Sequence, residues 1–369
     1  MRYEKIQGLK GIAAIAIAYF FHYAVLLAEN PFSGGFLKNS FFVIQRIGGY
    51  APDLFFLISG FLMMHSYEKK LEKNKLNFRE YIVPKVEKIY PLMIFTACVA
   101  FFLENVGYKV TGEYPLFATG GEIRYSWKAL LLSVMGLQSG IFCDRDAMSV
   151  NGPSWFVTII FLCYIIYYFL MRCCKTKKQI YITSLCIVCV GLFLVLFWWI
   201  IPFMPFFCLA TGRGYMMFFG GVILYKIMES IPEHRYMLRT ILSGIVLVMG
   251  LILFFKSGGY EELVLMLFVW PELLIIAFCT EGKKGILNTV PAQQLGNMSM
   301  SIFLCNLPTD IFINLCNKIF EWNLNYAKAE IWICHIVISL LIVWISHKIF
   351  EKRLPEFIKQ HRFCGIYEK

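Results

Sequence analysis

Long apolar stretches separated by short polar segments dominate the chain. About ten of them reach the roughly 20 residues that a helix needs to cross a bilayer core about 30 Å thick. These stretches lie near 6–28, 41–65, 89–107, 153–171, 180–201, 205–225, 239–255, 260–280, 295–317 and 331–350. The pattern therefore predicts an all-α, polytopic integral membrane protein with about ten transmembrane helices, in a single domain over residues 1–369.

Three connections in this pattern have predictable shapes. Only residues 201–205 separate the fifth and sixth stretches, so we expect a tight helical hairpin there. The long outer segment near 108–152 contains an apolar stretch, 127–137, which is too short to span and is expected to lie at the interface or to re-enter. Pro84 and Pro91 are expected to bracket the start of the third helix.

Composition excludes several other protein classes. Hydrophobic residues make up 59% of the chain and charged residues only 16%, against roughly half and a quarter in an average soluble domain. A soluble globular enzyme and a disordered chain are therefore excluded. The 13 cysteines lie mostly inside apolar stretches, so we expect small packing side chains and not a disulfide framework.

Basic residues concentrate in alternate segments. The segments on the side of both termini carry 25 Lys and Arg, and the opposite segments carry 8. Since cytoplasmic loops are enriched in these residues, we expect both termini to be cytoplasmic in a multi-pass protein of the cell membrane. The densest segment, 66–88, either sets topology and contacts anionic lipid or attracts a phosphate-rich donor; the residues alone favour the first role. The net charge of +11 therefore does not indicate nucleic acid.

Five ionisable residues lie inside apolar stretches, where each is costly and therefore a functional candidate. They are His22, Asp53, Arg213, Glu272 and His335. At 1.5 Å per residue, His22 lies about 18 Å beyond Lys10 along the first helix, and Asp53, Arg213 and Glu272 lie about 12–18 Å inside the outer ends of their helices. These depths allow the four side chains to meet in a cavity near mid-membrane. We interpret His335 as an interfacial polar group.

His22 and Asp53 are the strongest candidates for chemistry. The imidazole of His22 can take a proton from a hydroxyl and return it, and Asp53 can orient that imidazole and stabilise its protonated form. Structural alternatives remain open: a hydrogen bond from His22 to a neighbouring helix, and a salt bridge between Asp53 and Arg213. For Arg213, an ion pair with Glu272 is as strongly indicated as ligand contact.

Five segments resemble the signatures of the membrane acyltransferase family called acyltransferase 3. The segments are Gly8–Ala14 followed by His22, Asp53–Leu62, Lys85 with Lys88–Pro91, Gly152–Phe156, and Leu295–Ser299. The second segment, DLFFLISGFL, is the most specific match. The matches are ordered along the chain from residue 8 to about residue 308, and both their order and the ten-helix topology fit the family.

The resemblance implies an O-acyltransferase. Such an enzyme moves an acyl group, most often acetyl, from cytoplasmic acyl-coenzyme A to a hydroxyl of an extracytoplasmic or lipid-linked glycan, without a permanently bound cofactor or metal. His22 would then be the general base or acyl relay, supported by Asp53. The residues assigned to substrate binding are Lys10, Lys85, Lys88, Tyr90, Asn151, Trp155, Arg213 and Glu272.

The chain departs from the family pattern at several positions. Eleven residues separate Lys10 from His22, where ten are common, and a step of 12 residues leaves the pair about 120° apart on an ideal helix. A single-turn π-bulge would absorb the extra residue. Lys10 replaces a common Arg and so loses bidentate phosphate geometry. Ile160 and Asn306 stand where Glu and a late His are often seen.

Two other functions remain open. A transporter or flippase of a lipid-linked saccharide would use the buried charges to line a conduction path, although no internal repeat is evident. A scaffold in a glycan-assembly complex is the second alternative, suggested only by the departures from the family motifs.

Overall fold

The structure is a computed structural model. It describes residues 3–27, 30–32, 34–72, 76–116, 121–144 and 148–364. Residues 73–75 of the basic segment, and 117–120 and 145–147 of the outer segment, lie outside this part of the chain. About 80% of the chain is helical and the described residues form no β-strand, which confirms the all-α class.

Seventeen α-helices are present in the described ranges. They are α1 (Glu4–Ile15), α2 (Tyr23–Leu26), α3 (Gly35–Gly48), α4 (Ala51–Glu72), α5 (Phe78–Thr111), α6 (Gly121–Arg124), α7 (Trp127–Met135), α8 (Trp155–Cys173), α9 (Lys177–Phe197), α10 (Leu209–Ser230), α11 (Tyr236–Lys256), α12 (Glu261–Val264), α13 (Trp270–Cys279), α14 (Val290–Asn297), α15 (Ser299–Ile319), α16 (Ala329–Ser346) and α17 (Leu354–Cys364). Ala16–His22, Leu265–Val269 and His347–Arg353 are π-helical, and Gly152–Ser154, Glu233–Arg235 and Ile286–Asn288 are 3₁₀ turns.

Eight helical segments among the described residues are long and apolar enough to cross a membrane. They are Glu4–Val25, Phe78–Thr111, Gly152–Cys173, Lys177–Phe197, Glu233–Lys256, Glu261–Cys279, Ser299–Ile319 and Ala329–Ile358. A ninth span is formed if α3 and α4, bent by 49° at their junction, are counted as one. The remaining predicted stretch is α10, whose 22 residues include Arg213, Lys226 and Glu229 and are therefore more polar.

Three details of the predicted spans need correction. The stretch 41–65 is not one helix, because the chain bends between α3 and α4. Pro84 and Pro91 do not bracket a helix start; both lie inside α5, which begins at Phe78 and runs for 34 residues. The hairpin turn is longer than 201–205, since α9 ends at Phe197 and α10 begins at Leu209.

The short apolar stretch of the outer segment forms α7, a helix of nine residues. Both ends are capped: the Ser126 hydroxyl accepts a hydrogen bond from the Ala129 N–H, and Gly136 terminates the helix at φ 67°. A left-handed C-terminal glycine stops a helix because other residues adopt that conformation at a cost. The expectation that this stretch is too short to span is confirmed.

The chain divides into two compact units. Unit 1 comprises Met1–Ala13, Ile47–Phe78 and Thr158–Asn297, and unit 2 comprises Ala14–Arg46, Arg79–Val157 and Met298–Lys369. In unit 1, α10 packs against both α4 and α9. Glycines allow the close approach to α4, because a Cβ on Gly60 would lie 1.8 Å from the Phe218 carbonyl oxygen and one on Gly221 would lie 2.1 Å from that of Leu57.

In unit 2, α15 packs against α16 and against the π-helical stretch of the first helix. Two hydrogen bonds join that stretch to α16. The Trp332 indole N–H donates to the Tyr19 carbonyl at 2.8 Å, and the Tyr19 and Ser339 hydroxyls lie 3.1 Å apart. These contacts fix the part of the first helix that carries His22.

Candidate functional site

The first helix changes its hydrogen-bonding pattern before His22. α1 ends at Ile15 and is followed by the π-helical stretch Ala16–His22. A π turn holds one more residue than an α turn, so the stretch absorbs an extra residue between Lys10 and His22. Of the two outcomes that the Lys10–His22 spacing left open, the structure shows the π-bulge. π turns are frequent at functional sites, and His22 is the last residue of this one.

His22 lies at one end of a series of polar contacts within unit 2. The Asn306 Nδ2 is 3.3 Å from the His22 Nδ1 and donates to the Asp310 Oδ2 at 2.8 Å. The other Asp310 oxygen, Oδ1, lies 2.6 Å from the His335 Nε2. We call His22, Asn306, Asp310 and His335 the polar chain. It links two imidazoles through an amide and a carboxylate.

The helices place the polar chain in the interior of unit 2. Asn306 and Asp310 are four residues apart, so they share one face of α15, and α16 supplies His335. Asn306 and Asp310 are fully buried and His335 is 2% exposed. Buried polar groups are kept only when they are hydrogen-bonded, so these contacts hold the first helix, α15 and α16 in register.

Asn151 fills a gap in the backbone hydrogen bonding of α15. Pro308 lies inside that helix and has no N–H, so the carbonyl four residues earlier, that of Leu304, loses its helical donor. The Asn151 amide donates to this carbonyl at 2.8 Å and to the Thr96 hydroxyl at 2.9 Å. Asn151, predicted as a substrate contact, thus has a structural role beside α15.

Asp53 and Arg213 form an ion pair within unit 1. The Arg213 Nε and Nη2 donate to the two oxygens of Asp53 at 2.9 and 3.1 Å, and Nε lies 2.7 Å from a carboxylate oxygen of Glu262. Asp53 is fully buried and Arg213 is 4% exposed. The salt bridge between Asp53 and Arg213 is the structural alternative that the sequence left open.

Two further predictions concern this ion pair. Arg213 pairs with the carboxylates of Asp53 and Glu262. The predicted partner Glu272 lies on α13, where its Oε2 is buried and makes no hydrogen bond to the described residues. His22 belongs to unit 2 and Asp53 to unit 1. The orientation of His22 by Asp53 therefore stays a prediction.

The other predicted substrate-binding residues are distributed over both units. In unit 2, the Lys85 ammonium donates to the Tyr81 carbonyl at 2.8 Å and lies 3.6 Å from the centre of the Tyr81 ring, whereas Lys88 is exposed. Tyr90 is half-buried, with its hydroxyl beside Gly136. Trp155 is buried at the start of α8, and Lys10 is half-buried on α1 in unit 1.

A sequence model of the Acyltransferase domain, the hallmark of the acyltransferase 3 family, matches residues 3–348. The chain belongs to this family. Its many apolar helices and its family membership make it a multi-pass membrane protein.

One curated relative of this acyltransferase 3 protein is the "O-acetyl transferase" of Shigella phage Sf6. The two are 23% identical over 155 residues, which cover 42% of this chain and 42% of the relative. The chain thus matches less than half the length of that protein. No solved structure matches the chain.

Asp310 of this acyltransferase 3 protein was not among the residues predicted from the sequence. A signal was present, because Asn306 and Asp310 are spaced by four residues inside an otherwise apolar stretch, and such a pair shares a helix face. Instead of the interfacial role expected, the structure gives His335 a buried carboxylate partner. Among the residues that the structure describes, no group of three or more His, Cys, Asp or Glu is arranged to hold a metal ion.

Proposed function

We propose that this protein is an integral membrane O-acyltransferase that moves an acyl group, in the simplest case acetyl, from acyl-coenzyme A to a hydroxyl of an extracytoplasmic or lipid-linked glycan. Membership of the acyltransferase 3 family and the name of the phage relative support the reaction class. The observation that carries the proposal is His22, at the end of a π-helical stretch within a membrane-spanning helix and in contact with buried polar groups.

In the proposed reaction, His22 handles the proton of the acceptor. The imidazole accepts the hydroxyl proton as the acceptor oxygen forms a bond to the thioester carbonyl carbon. The carbon–sulfur bond then breaks, and the imidazolium returns the proton to the departing thiolate. In the alternative route, a ring nitrogen of His22 forms a bond to the acyl carbon, the carbon–sulfur bond breaks, and coenzyme A leaves as the thiol with the proton of the other ring nitrogen. The hydroxyl oxygen then attacks the acyl-imidazole, and His22 takes the hydroxyl proton as the ester leaves. Both routes require the His22 side chain.

The structure changes the role that we propose for Arg213. A developing oxyanion is stabilised by a positive group that is free to face it. The Arg213 guanidinium already contacts the carboxylates of Asp53 and Glu262. We therefore assign Arg213 to holding α4 and α10 together in unit 1, and not to the oxyanion or to an acidic sugar.

Lys85 and Lys88 are proposed to attract the phosphates of the acyl-coenzyme A donor. Lys88 is exposed and Lys85 is held by Tyr81 one helical turn earlier on α5. Long-range attraction between such charges and a phosphate-rich donor raises its local concentration and weakens with salt. Lys88→Gln should raise the KM for acetyl-coenzyme A several-fold at low salt, with kcat unchanged and a smaller effect at high salt.

The deciding experiment measures acyl transfer with and without His22. The full chain is reconstituted in lipid nanodiscs, and transfer from labelled acetyl-coenzyme A to saccharide acceptors is measured for the wild type and His22→Gln. Loss of a general base costs about 10²–10⁴-fold in rate. His234→Gln is the matched control, because His234 is exposed on a 3₁₀ turn of unit 1.

A parallel assay in cells separates the proposal from transport. Mild alkali releases ester-linked acyl groups from the surface polysaccharide, and these are counted per sugar. An acyltransferase lacking His22 should leave the amount of polysaccharide unchanged and remove its esters. Full ester content per sugar in the His22→Gln cells, or less polysaccharide with unchanged esters, would contradict the proposal, and the second result would favour a transporter.

A further inference from the structure

The orientation of the Asn306 amide is determined by its neighbour on α15. A carboxylate only accepts hydrogen bonds, so the group that faces the Asp310 Oδ2 at 2.8 Å must be the amide nitrogen. The opposite orientation would place two acceptor oxygens against each other in a fully buried position. The same nitrogen lies 3.3 Å from the His22 Nδ1, so its second hydrogen is directed at the His22 ring.

This arrangement specifies where the proton of neutral His22 resides. An amide N–H can only donate, so the His22 Nδ1 that receives it must carry a lone pair. A neutral imidazole has one protonated and one unprotonated nitrogen, which places its proton on Nε2. The Asn306 Oδ1 has no hydrogen-bond partner among the described residues, so the amide keeps this orientation through the two contacts of its nitrogen.

His335 contacts the other oxygen of Asp310. The His335 Nε2 lies 2.6 Å from the Asp310 Oδ1, which is a hydrogen-bond distance. The His335 Nδ1 is buried and has no hydrogen-bond partner among the described residues, which fits a lone pair on Nδ1 and an Nε2–H that donates to Asp310. Both oxygens of Asp310 then act as acceptors.

We propose that Asn306, Asp310 and His335 are positioning residues that hold resting His22 as its Nε2–H tautomer. Asp310 sets the direction of the Asn306 amide, and that amide selects the ring nitrogen of His22 that carries the proton. The functional consequence rests on the proposed acyltransferase activity: the lone pair of resting His22 is held by the Asn306 amide and its Nε2 carries a hydrogen, so the Asn306–His22 contact must open before the imidazole accepts a proton or an acyl group. The tautomer itself is a property of the resting protein and can be measured without substrate.

The direct test is ¹⁵N NMR of histidine-labelled full-length protein in nanodiscs. Protonated and unprotonated ring nitrogens give distinct signals, and the His22 signals are those lost in His22→Gln. The proposal expects an unprotonated Nδ1 and a protonated Nε2 at a pH where His22 is neutral. A protonated Nδ1 in the neutral ring would overturn it, whether or not His22 proves to be catalytic.

A swap of the amide and the carboxylate then separates a positioning role from a structural one. In the double variant Asn306→Asp, Asp310→Asn, a carboxylate faces His22 and must accept from its Nδ1–H, so the tautomer reverses while one amide and one carboxylate remain in contact. We expect Asp310→Asn alone to lower stability. In the double variant, stability should recover and Nε2 becomes the unprotonated nitrogen, so kcat should equal or exceed that of the wild type, with the KM for acetyl-coenzyme A unchanged.

Two outcomes of the swap would count against the proposal. A kcat well below the wild-type value in the folded double variant would show that the resting tautomer does not withhold the basic nitrogen, and an unchanged tautomer would show that Asn306 does not select it. Asn314→Asp is the matched control for adding a carboxylate to α15. Asn314 lies about two helical turns after Asn306, and its amide donates to the Pro115 carbonyl. It should leave the His22 NMR signals unchanged. If instead His22→Gln retains acyl transfer, the proposed function fails while the tautomer result stands.

Discussion

The side-chain amide of Asn151 donates a hydrogen bond to the backbone carbonyl of Leu304 at 2.8 Å. Leu304 is the residue whose helical partner is missing, since the position four residues later is Pro308. The fully buried Asn151 thus replaces a backbone donor. A proline inside α15 and a buried amide from another segment therefore occur together next to Asn306 and Asp310.

We expect Asn151→Ala to lower the free energy of unfolding by about 1–3 kcal/mol, the cost of leaving a buried polar group unpaired. Pro308→Ala supplies a backbone N–H for Leu304, so the double variant should lose less stability than the two single changes predict together. Thermal unfolding of the detergent-solubilised protein measures this coupling. Additive losses would show that Asn151 and Pro308 act independently, and a raised KM with unchanged stability would favour the substrate contact expected from the sequence.

The buried ion pair between Asp53 and Arg213 gives a second prediction. Removing one member of a buried pair typically costs about 3–5 kcal/mol when the other charge is left unpaired, and the remaining contact of Arg213 with Glu262 reduces that cost. Asp53→Ala should therefore reduce the amount of folded protein. Arg213→Lys should cost less, because it keeps the charge and loses only the two-point geometry. Folded protein is measured by size-exclusion chromatography after mild heating, and activity is expressed per folded molecule.

A third variant, Asp53→Asn, tests whether Asp53 orients His22. For a structural partner of Arg213, Asp53→Asn lowers stability, and the activity of the folded fraction stays within a few-fold of the wild type. A catalytic partner of His22 would instead show normal stability and a kcat reduced by orders of magnitude. We expect the first result, since both oxygens of Asp53 are engaged by Arg213.

Hydropathy alone was sufficient to predict most of the fold. Each of the ten apolar stretches is largely helical, although 41–65 is divided between α3 and α4, because the requirement to satisfy every backbone polar group in lipid leaves few alternatives. The break between Gly48 and Ala51 was not predictable in this way, since both sides of it are apolar. Likewise, Pro84 and Pro91 gave no correct boundary, because neighbouring groups in membrane proteins tolerate proline within a helix.

The candidate site was only partly accessible to sequence reasoning. His22 was recognised as an ionisable residue within an apolar stretch, and the π-bulge was one of two outcomes that followed from comparing the Lys10–His22 spacing with the family pattern. The contact of Asn306 with His22 depends on tertiary packing between segments 284 residues apart, and no periodicity in a single sequence reports it. His335 was recognised as a polar residue, but its partner Asp310 was not, so its role could not be derived.

Close helix packing in unit 1 gives a third prediction. A Cβ at Gly60 on α4 would lie 1.8 Å from the Phe218 carbonyl oxygen on α10, and that backbone oxygen cannot move without shifting a helix. Gly60→Ala should therefore destabilise the protein by about 1–3 kcal/mol or more, as overpacking usually does. The measurement is the midpoint of thermal unfolding in detergent.

Gly244→Ala is the control for this packing prediction. Gly244 lies in α11, and a Cβ there would meet no atom within 4 Å. Because alanine favours a helix interior over glycine by roughly 0.5–1 kcal/mol, this variant should be neutral or slightly stabilised. Equal losses at both positions would mean that the effect comes from glycine itself and not from the α4–α10 contact.

The π-helical stretch before His22 gives the last prediction, which concerns a deletion. A π turn differs from an α turn by one residue, so removing one residue from Ala16–His22 converts it to α-helix without turning the segments on either side. Deletion of the half-buried Ala16 should therefore leave the protein folded and keep acyl transfer within about tenfold of the wild type, since the flanking side chains keep their faces.

A deletion in a regular α-helix is the matched comparison. Phe312 is 46% exposed on α15, which has no π-helical stretch, so its removal deletes little packing. It turns the part of that helix after residue 312 by about 100°, so Asn314 no longer points in its original direction relative to Asn306 and Asp310. We expect little folded protein in membranes, measured by fluorescence-detected chromatography. Equal tolerance of the two deletions, or equal loss, would show that the π-helical stretch does not absorb a residue.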